Sequence, residues 1–164
     1  MPTSKERQKK LPYNEGDWFA VPLRKGRRYA VGRIARVAPH GRIVLGYFFG
    51  PSLKRFPKAE ALAEYLPKDA ILVARCGDLG LINGQWKVIG SSSWRRNQWK
   101  MPKFKRSESI SGATFVVRYA DGDPSREVSE KKVEPSSVAV LAENGLWGSG
   151  AVEIRLTKLL MSGR

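Results

Sequence analysis

Gly16-Asp17-Trp18-Phe19-Ala20-Val21-Pro22-Leu23, then Tyr29-Ala30-Val31-Gly32-Arg33-Ile34-Ala35-Arg36-Val37, then Leu45-Gly46-Tyr47-Phe48-Phe49-Gly50 are apolar runs of strand length. Only turn chemistry separates them, at Lys25-Gly26 and at Pro39-His40-Gly41. Connections this short join antiparallel neighbours, because a parallel return needs a crossover of about a dozen residues or more. The block from Gly16 to Gly50 therefore reads as a β-meander. In its third run Ile43, Leu45, Tyr47 and Phe49 share one face, with Val44 and Phe48 on the other. A strand apolar on both sides is expected at the centre of its sheet, covered on both faces. Gly32 and Ala30 leave one face of the second run small, which implies close approach by another element. In a regular strand Arg33 and Arg36 fall on opposite faces, so at least one is expected at a rim or against a partner.

Beyond the meander, Pro57 suits a first helical position, Lys58–Tyr65 are good helix formers and Pro67 stops the run, which predicts a short middle helix. Ala70–Cys76 and Ala113–Tyr119 read as strands, with turns at Gly77-Asp78-Leu79-Gly80 and Ala120–Pro124. Asn83-Gly84, within Leu81–Trp86, predicts a type I′ hairpin. Val152, Leu156, Leu159 and Leu160 recur at helical spacing and predict a C-terminal helix, with Glu153 early and Lys158 late in agreement with the helix dipole. Residues 1–11, polar and charged with proline near both ends, read as a disordered basic arm. Residues 12–164 read as a single domain. The expected fold class is α+β, predominantly antiparallel sheet.

The charge balance is one-sided: 30 Lys and Arg against 15 Asp and Glu, a formal net charge of +15. Such a surface favours nucleic acid, an anionic membrane or an acidic protein as partner. No apolar run reaches bilayer length, and no signal peptide opens the chain. A single cysteine, Cys76, cannot close an internal disulfide. A reduced, cytoplasmic protein is the expectation. Catalysis finds little support. His40, the only histidine, sits in a Pro-His-Gly turn; Cys76 ends an apolar strand with no base nearby in sequence. Asp121 and Asp123 lack the rest of a calcium loop, and no phosphate-cradling glycine loop is present. We expect no metal, no cofactor and no enzyme activity.

The order Gly16-Asp17-Trp18 with Pro22-Leu23, Val31-Gly32-Arg33, and Gly46-Tyr47-Phe48-Phe49-Gly50 resembles the immunity protein 26 family of bacterial polymorphic toxin systems. Asp69–Val73, Gly77–Leu81, Trp86 with Ile89-Gly90, and Trp94 followed by Trp99, Met101 and Pro102 are similar too, so the likeness runs from Tyr13 to Met161. The resemblance implies a non-enzymatic protein that binds and neutralises a cognate toxin by direct contact. Arg24-Lys25-Gly26-Arg27-Arg28 makes the first hairpin turn more basic than the family pattern.

Two clusters are candidate contact surfaces. Trp94-Arg95-Arg96-Asn97-Gln98-Trp99-Lys100 interleaves aromatic and basic residues, a composition that stacks bases and grips phosphates or serves as a protein hot spot. Trp94 and Trp99 also match the family pattern, and so are equally read as core. The second cluster is the Arg24–Arg28 tip, suited to steering toward an acidic surface. The candidate partner-binding residues are Arg27, Arg28, Trp94, Arg95, Arg96 and Trp99, and the expected partner is a cognate toxin with an acidic contact surface. The alternative is a nucleic-acid-binding β-domain using the same basic and aromatic surface; a membrane is not expected.

Overall fold

β1 (Asp17–Pro22), β2 (Tyr29–Val37) and β3 (Ile43–Leu53) pair antiparallel in the computed structural model, which describes residues 10–161. The predicted meander is thus the centre of the fold. Of the predicted basic arm only residues 10 and 11 are described; the rest lies outside the described residues. β4 (Leu72–Gly77) adds antiparallel to β3, and β5 (Lys87–Ser91) adds antiparallel to β1. β6 (Phe104–Ser107), β7 (Thr114–Ala120) and β8 (Asp123–Val133) form a second antiparallel unit. Two-residue strands β9 (Ala142–Glu143) and β10 (Leu146–Trp147) add parallel to β6 and β4 respectively. The sheets run β10-β4-β3-β2-β1-β5 and β8-β7-β6-β9. Helix α1 (Leu79–Ile82) is one turn long, and α2 (Ser149–Met161) closes the chain.

The predicted two-faced character of β3 sets the layering. Val44 and Phe48 join Phe19, Val21, Ile34, Trp86, Val152 and Leu156 in one cluster under α2. Leu45, Tyr47 and Phe49 join Trp18, Val31, Trp99, Phe104, Val117 and Tyr119 in a second cluster between the sheets. The molecule is therefore α2, first sheet, second sheet, with the meander as the shared middle layer. The small face of β2 receives Phe19: a Cβ on Gly32 would lie 2.5 Å from its Cζ, and that ring already stacks on Trp86 at 5.5 Å between centroids. Gly32→Ala is accordingly expected to lower folding stability by about 1–3 kcal/mol in urea denaturation, as overpacking of a close-packed core does.

Four local expectations are corrected. Lys58–Tyr65 forms only a 3-10 turn at Ala59–Leu62, and Pro67 opens a second such turn rather than ending a helix. The nine residues between Pro57 and Pro67 bury only Ala59 and Leu62, too little to repay helix nucleation. Asn83-Gly84 closes no hairpin; it terminates α1, with Gly84 at φ +81° and the Asn83 Oδ1 accepting the Gln85 N–H. A glycine in the left-handed region ends helices as readily as it turns hairpins. Leu159 is exposed, and the inward face of α2 is Val152, Leu156 and, in part, Leu160. Finally, β2 carries a bulge: Ile34 opposes Gly46 while Arg36 opposes Leu45. The extra residue turns Arg36 to the side of Arg33, and both are buried toward the second sheet.

Cys76 is fully buried, as a structural thiol is. Burial, followed by the charge of Asp78, pushes its pKa up to about 12; burial pushes the Tyr47 phenol up to about 12 as well. Tyr13 is raised too, by burial and by its 2.7 Å hydrogen bond to the Asp78 carboxylate. These groups hold protons in the native state that the unfolded chain releases from about pH 9 upward. Their contribution is complete below that point and is lost as pH rises toward about 12. The melting temperature is expected to fall as pH rises from about 9 toward about 12, with Cys76 unreactive to a thiol reagent until the chain unfolds.

Candidate partner-binding face

The segment after β5 crosses the end of the meander, and its position is set by Arg33. The guanidinium carbon lies 4.6 Å from the Trp18 ring centroid, 4.7 Å from that of Trp94 and 5.0 Å from that of Trp99. Its Nε donates to the Gly16 carbonyl at 3.0 Å, and its Nη2 to the carbonyls of Ser92 and Ser93 at 2.6 and 3.1 Å. A guanidinium in a cage of indoles gains cation–π attraction on its faces and hydrogen bonds at its edge. All its acceptors are neutral, so the positive charge is not cancelled. Burial accordingly lowers the pKa of Arg33 to about 10, against the opposing pull of Asp17.

Arg36 fixes the far end of the same segment. Its Nη1 donates to the Trp99 and Ala35 carbonyls, and its Nε and Nη2 to the backbone and carboxylate of Asp121 in the β7–β8 turn. Arg75 extends the row, with Nε on the Pro124 carbonyl and the guanidinium 3.8 Å from the Tyr119 ring centroid. These buried arginines sew the loop and the second sheet onto the first.

The predicted contact residues separate accordingly. Trp99 is 1% exposed and stacks edge-on against Trp18, Tyr47 and Phe49. Trp94 is half-buried and covers Arg33. Neither indole stands free as a base-stacking platform; their faces are taken by Arg33 and by neighbouring rings. Arg95 and Arg96 are exposed. Arg96 bonds to Glu15 at 2.7 Å and to Asp121 at 3.4 Å, whereas Arg95 makes no ion pair among the described residues. At the first hairpin tip, Arg28 donates to the hydroxyl and carbonyl of Ser52. Arg24 pairs with the buried Glu153, which also accepts the Trp86 indole N–H. Arg27, at φ 51°, is exposed. The tip lies on the α2 side, where Gly26 approaches Met161, while Arg95 belongs to the segment over the second core. The structure therefore does not join the two clusters into one surface.

Beside Trp99 the segment and the turn after Ala59–Leu62 enclose a pocket of about 190 Å³, lined by Arg33, Ala63, Tyr65, Leu66, Ser93, Arg95, Gln98 and Trp99. From the sequence, Ser93 and Tyr65 carry no expected binding role, Gln98 stands only inside the Trp94–Lys100 cluster, and Arg33 only in the Val31-Gly32-Arg33 motif and as a charge expected at a rim or against a partner. A larger, open cleft of about 720 Å³ lies between β4 and β9, where Lys105 already bonds to the Ala139 carbonyl and approaches Glu143. Among the described residues no group of His, Cys, Asp and Glu can hold a metal ion, and no helix is long and apolar enough to cross a membrane.

The model of one protein family, described as immunity protein 26, matches residues 14–116. The matched stretch contains the meander, β4 to β6, the caged arginine and the pocket, and ends within β7, short of the Met161 limit of the likeness read from sequence. No curated protein and no solved structure matches the chain.

Proposed function

The chain belongs to the immunity protein 26 family, which is non-enzymatic and implies toxin neutralisation, and from that membership we propose that it binds one cognate toxin and blocks it by direct contact. The mechanism is occlusion: a patch of ordinary size, about 1,600 Å² buried in total, covers the toxin's active site or substrate path. Membership is the observation that carries the reading. Its electrostatic support is the net charge of +15 together with the exposed Arg95, which makes no ion pair among the described residues, and these call for an acidic toxin surface. The contact face proposed is the segment of Arg95 and Arg96, with Trp94 and Trp99 as its rigid support. Arg27 at the hairpin tip steers the approach rather than sealing the contact. The proposed compartment is the cytoplasm, where a toxin would meet its target.

The test is capture on the tagged chain from nuclease-treated lysate of cells that make it, washed at moderate salt, with mass spectrometry of what remains. The reading expects one stoichiometric polypeptide bound through its toxin domain. Recovery of nucleic acid alone, lost on nuclease treatment, would contradict it and favour a nucleic-acid-binding domain instead.

A further inference from the structure

The pocket beside Trp99 is walled by polar groups that the fold leaves unused. Arg33 is 2% exposed, yet its Nη1 donates to nothing among the described residues, all its bonds being made by Nε and Nη2. No side-chain nitrogen or oxygen of the described buried residues is both sealed from solvent and unbonded. Nη1 therefore keeps contact with solvent, and the space that Arg33 lines is this pocket. The guanidinium of Arg95, the amide of Gln98 and the hydroxyls of Ser93 and Tyr65 line the same space, and none makes a side-chain hydrogen bond among the described residues. The lining holds no Asp or Glu. Elsewhere in the molecule Arg24, Arg36, Arg96 and Arg106 all have carboxylate partners. Arg33 and Arg95, the two guanidinium groups that line this pocket, pair with no carboxylate among the described residues.

We propose that this pocket receives a single carboxylate, the side chain of an Asp or Glu presented by the toxin; the choice of occupant rests on the immunity reading above. Paired guanidinium groups with amide and hydroxyl donors are the chemistry that recognises a carboxylate in a fixed orientation. At about 190 Å³ the pocket has room for one carboxylate and its methylenes, with Ala63, Leu66 and Trp99 as the apolar part of its lining. At the buried Arg33 a charge pair is stronger than one on an exposed rim, while Arg95 meets the same anion from the solvent side. An incoming anion would also offset the burial cost that depresses the pKa of Arg33.

The pocket is testable with a defined probe. N-acetylglutamate N-methylamide is titrated at constant ionic strength, with the fluorescence of the tryptophans around Arg33 as readout. A saturable change is expected, absent with the glutamine analogue and weakened about 10-fold or more in Arg95→Gln and in Gln98→Ala. Both variants change exposed side chains, so each is expected to fold. An equal response to the glutamine analogue, or one unaltered in both variants, overturns the site. Saturation by a short oligothymidylate but not by the glutamate probe reassigns it to phosphate and overturns the proposal. With the captured toxin domain, Arg95→Gln is expected to weaken binding about 10-fold, while Arg126→Gln on β8 does not. Toxin affinity unchanged in Arg95→Gln overturns the occupant alone. Failure of the wild-type chain to capture any toxin overturns the immunity reading and with it the occupant, while the glutamate titration still reports the site separately.

Discussion

Arg33→Leu is expected to lower folding stability by about 3–5 kcal/mol, the largest loss among single substitutions in the buried arginine row. Leucine keeps the apolar character of the site but takes the guanidinium away from the carbonyls of Gly16, Ser92 and Ser93, leaving only the long bonds from the Ser91 hydroxyl to Gly16 and Ser92 at 3.3 and 3.4 Å. The Gly16 carbonyl is buried, and a buried acceptor that loses its strong donor carries its desolvation penalty uncompensated. The indole cage also loses its filling, and Trp94 has no other charged group to cover. Arg33→Lys should recover only part of the loss, because an ammonium lacks the planar fork that reaches carbonyls on two sides. Urea denaturation with near-ultraviolet circular dichroism measures both. A loss under about 1 kcal/mol in Arg33→Leu would mean that the loop is held by other contacts.

Reversing Arg95 and Arg96 together to glutamate is expected to weaken toxin binding at low salt by about 100-fold or more, because like charges facing an acidic surface cost several kcal/mol. The two positions should not share the effect equally. The charge of Arg96 is already offset by Glu15 and Asp121, so Arg96→Gln removes little net attraction. Arg95→Gln removes a charge that no described carboxylate offsets, on the wall of the pocket, and should account for most of what neutralisation does. The rise in association rate due to charge should fade as salt is added, while the dissociation rate changes less. Unchanged affinity of the double reversal at low salt would remove this face from the contact.

The meander was legible because each of its signals is local: alternation within a run, turn residues between runs, and a third strand apolar on both faces. The two-sided core followed directly from Val44 and Phe48 opposing Leu45, Tyr47 and Phe49. What escaped was what local pattern does not encode. A bulge adds a residue without changing composition, so the side on which Arg36 emerges is visible only from its pairing with β3. Asn83-Gly84 offers a positive φ that a helix end and a hairpin use alike. The Trp94–Lys100 segment was recognised as the best binding constellation by composition, yet its tryptophans spend their faces on an arginine from β2. That contact is remote in sequence, and it converts a seeming stacking platform into a scaffold for Arg95. The pocket escaped for the same reason, since Tyr65, Ser93, Gln98 and Arg33 come from three separate stretches.

Direct neutralisation is tested most plainly by titrating the purified toxin domain with this chain and following the toxin's activity. The account predicts a linear loss that reaches full inhibition at one chain per toxin, with a complex of that stoichiometry in gel filtration. Toxin activity that persists in excess chain, with no complex formed, would contradict it.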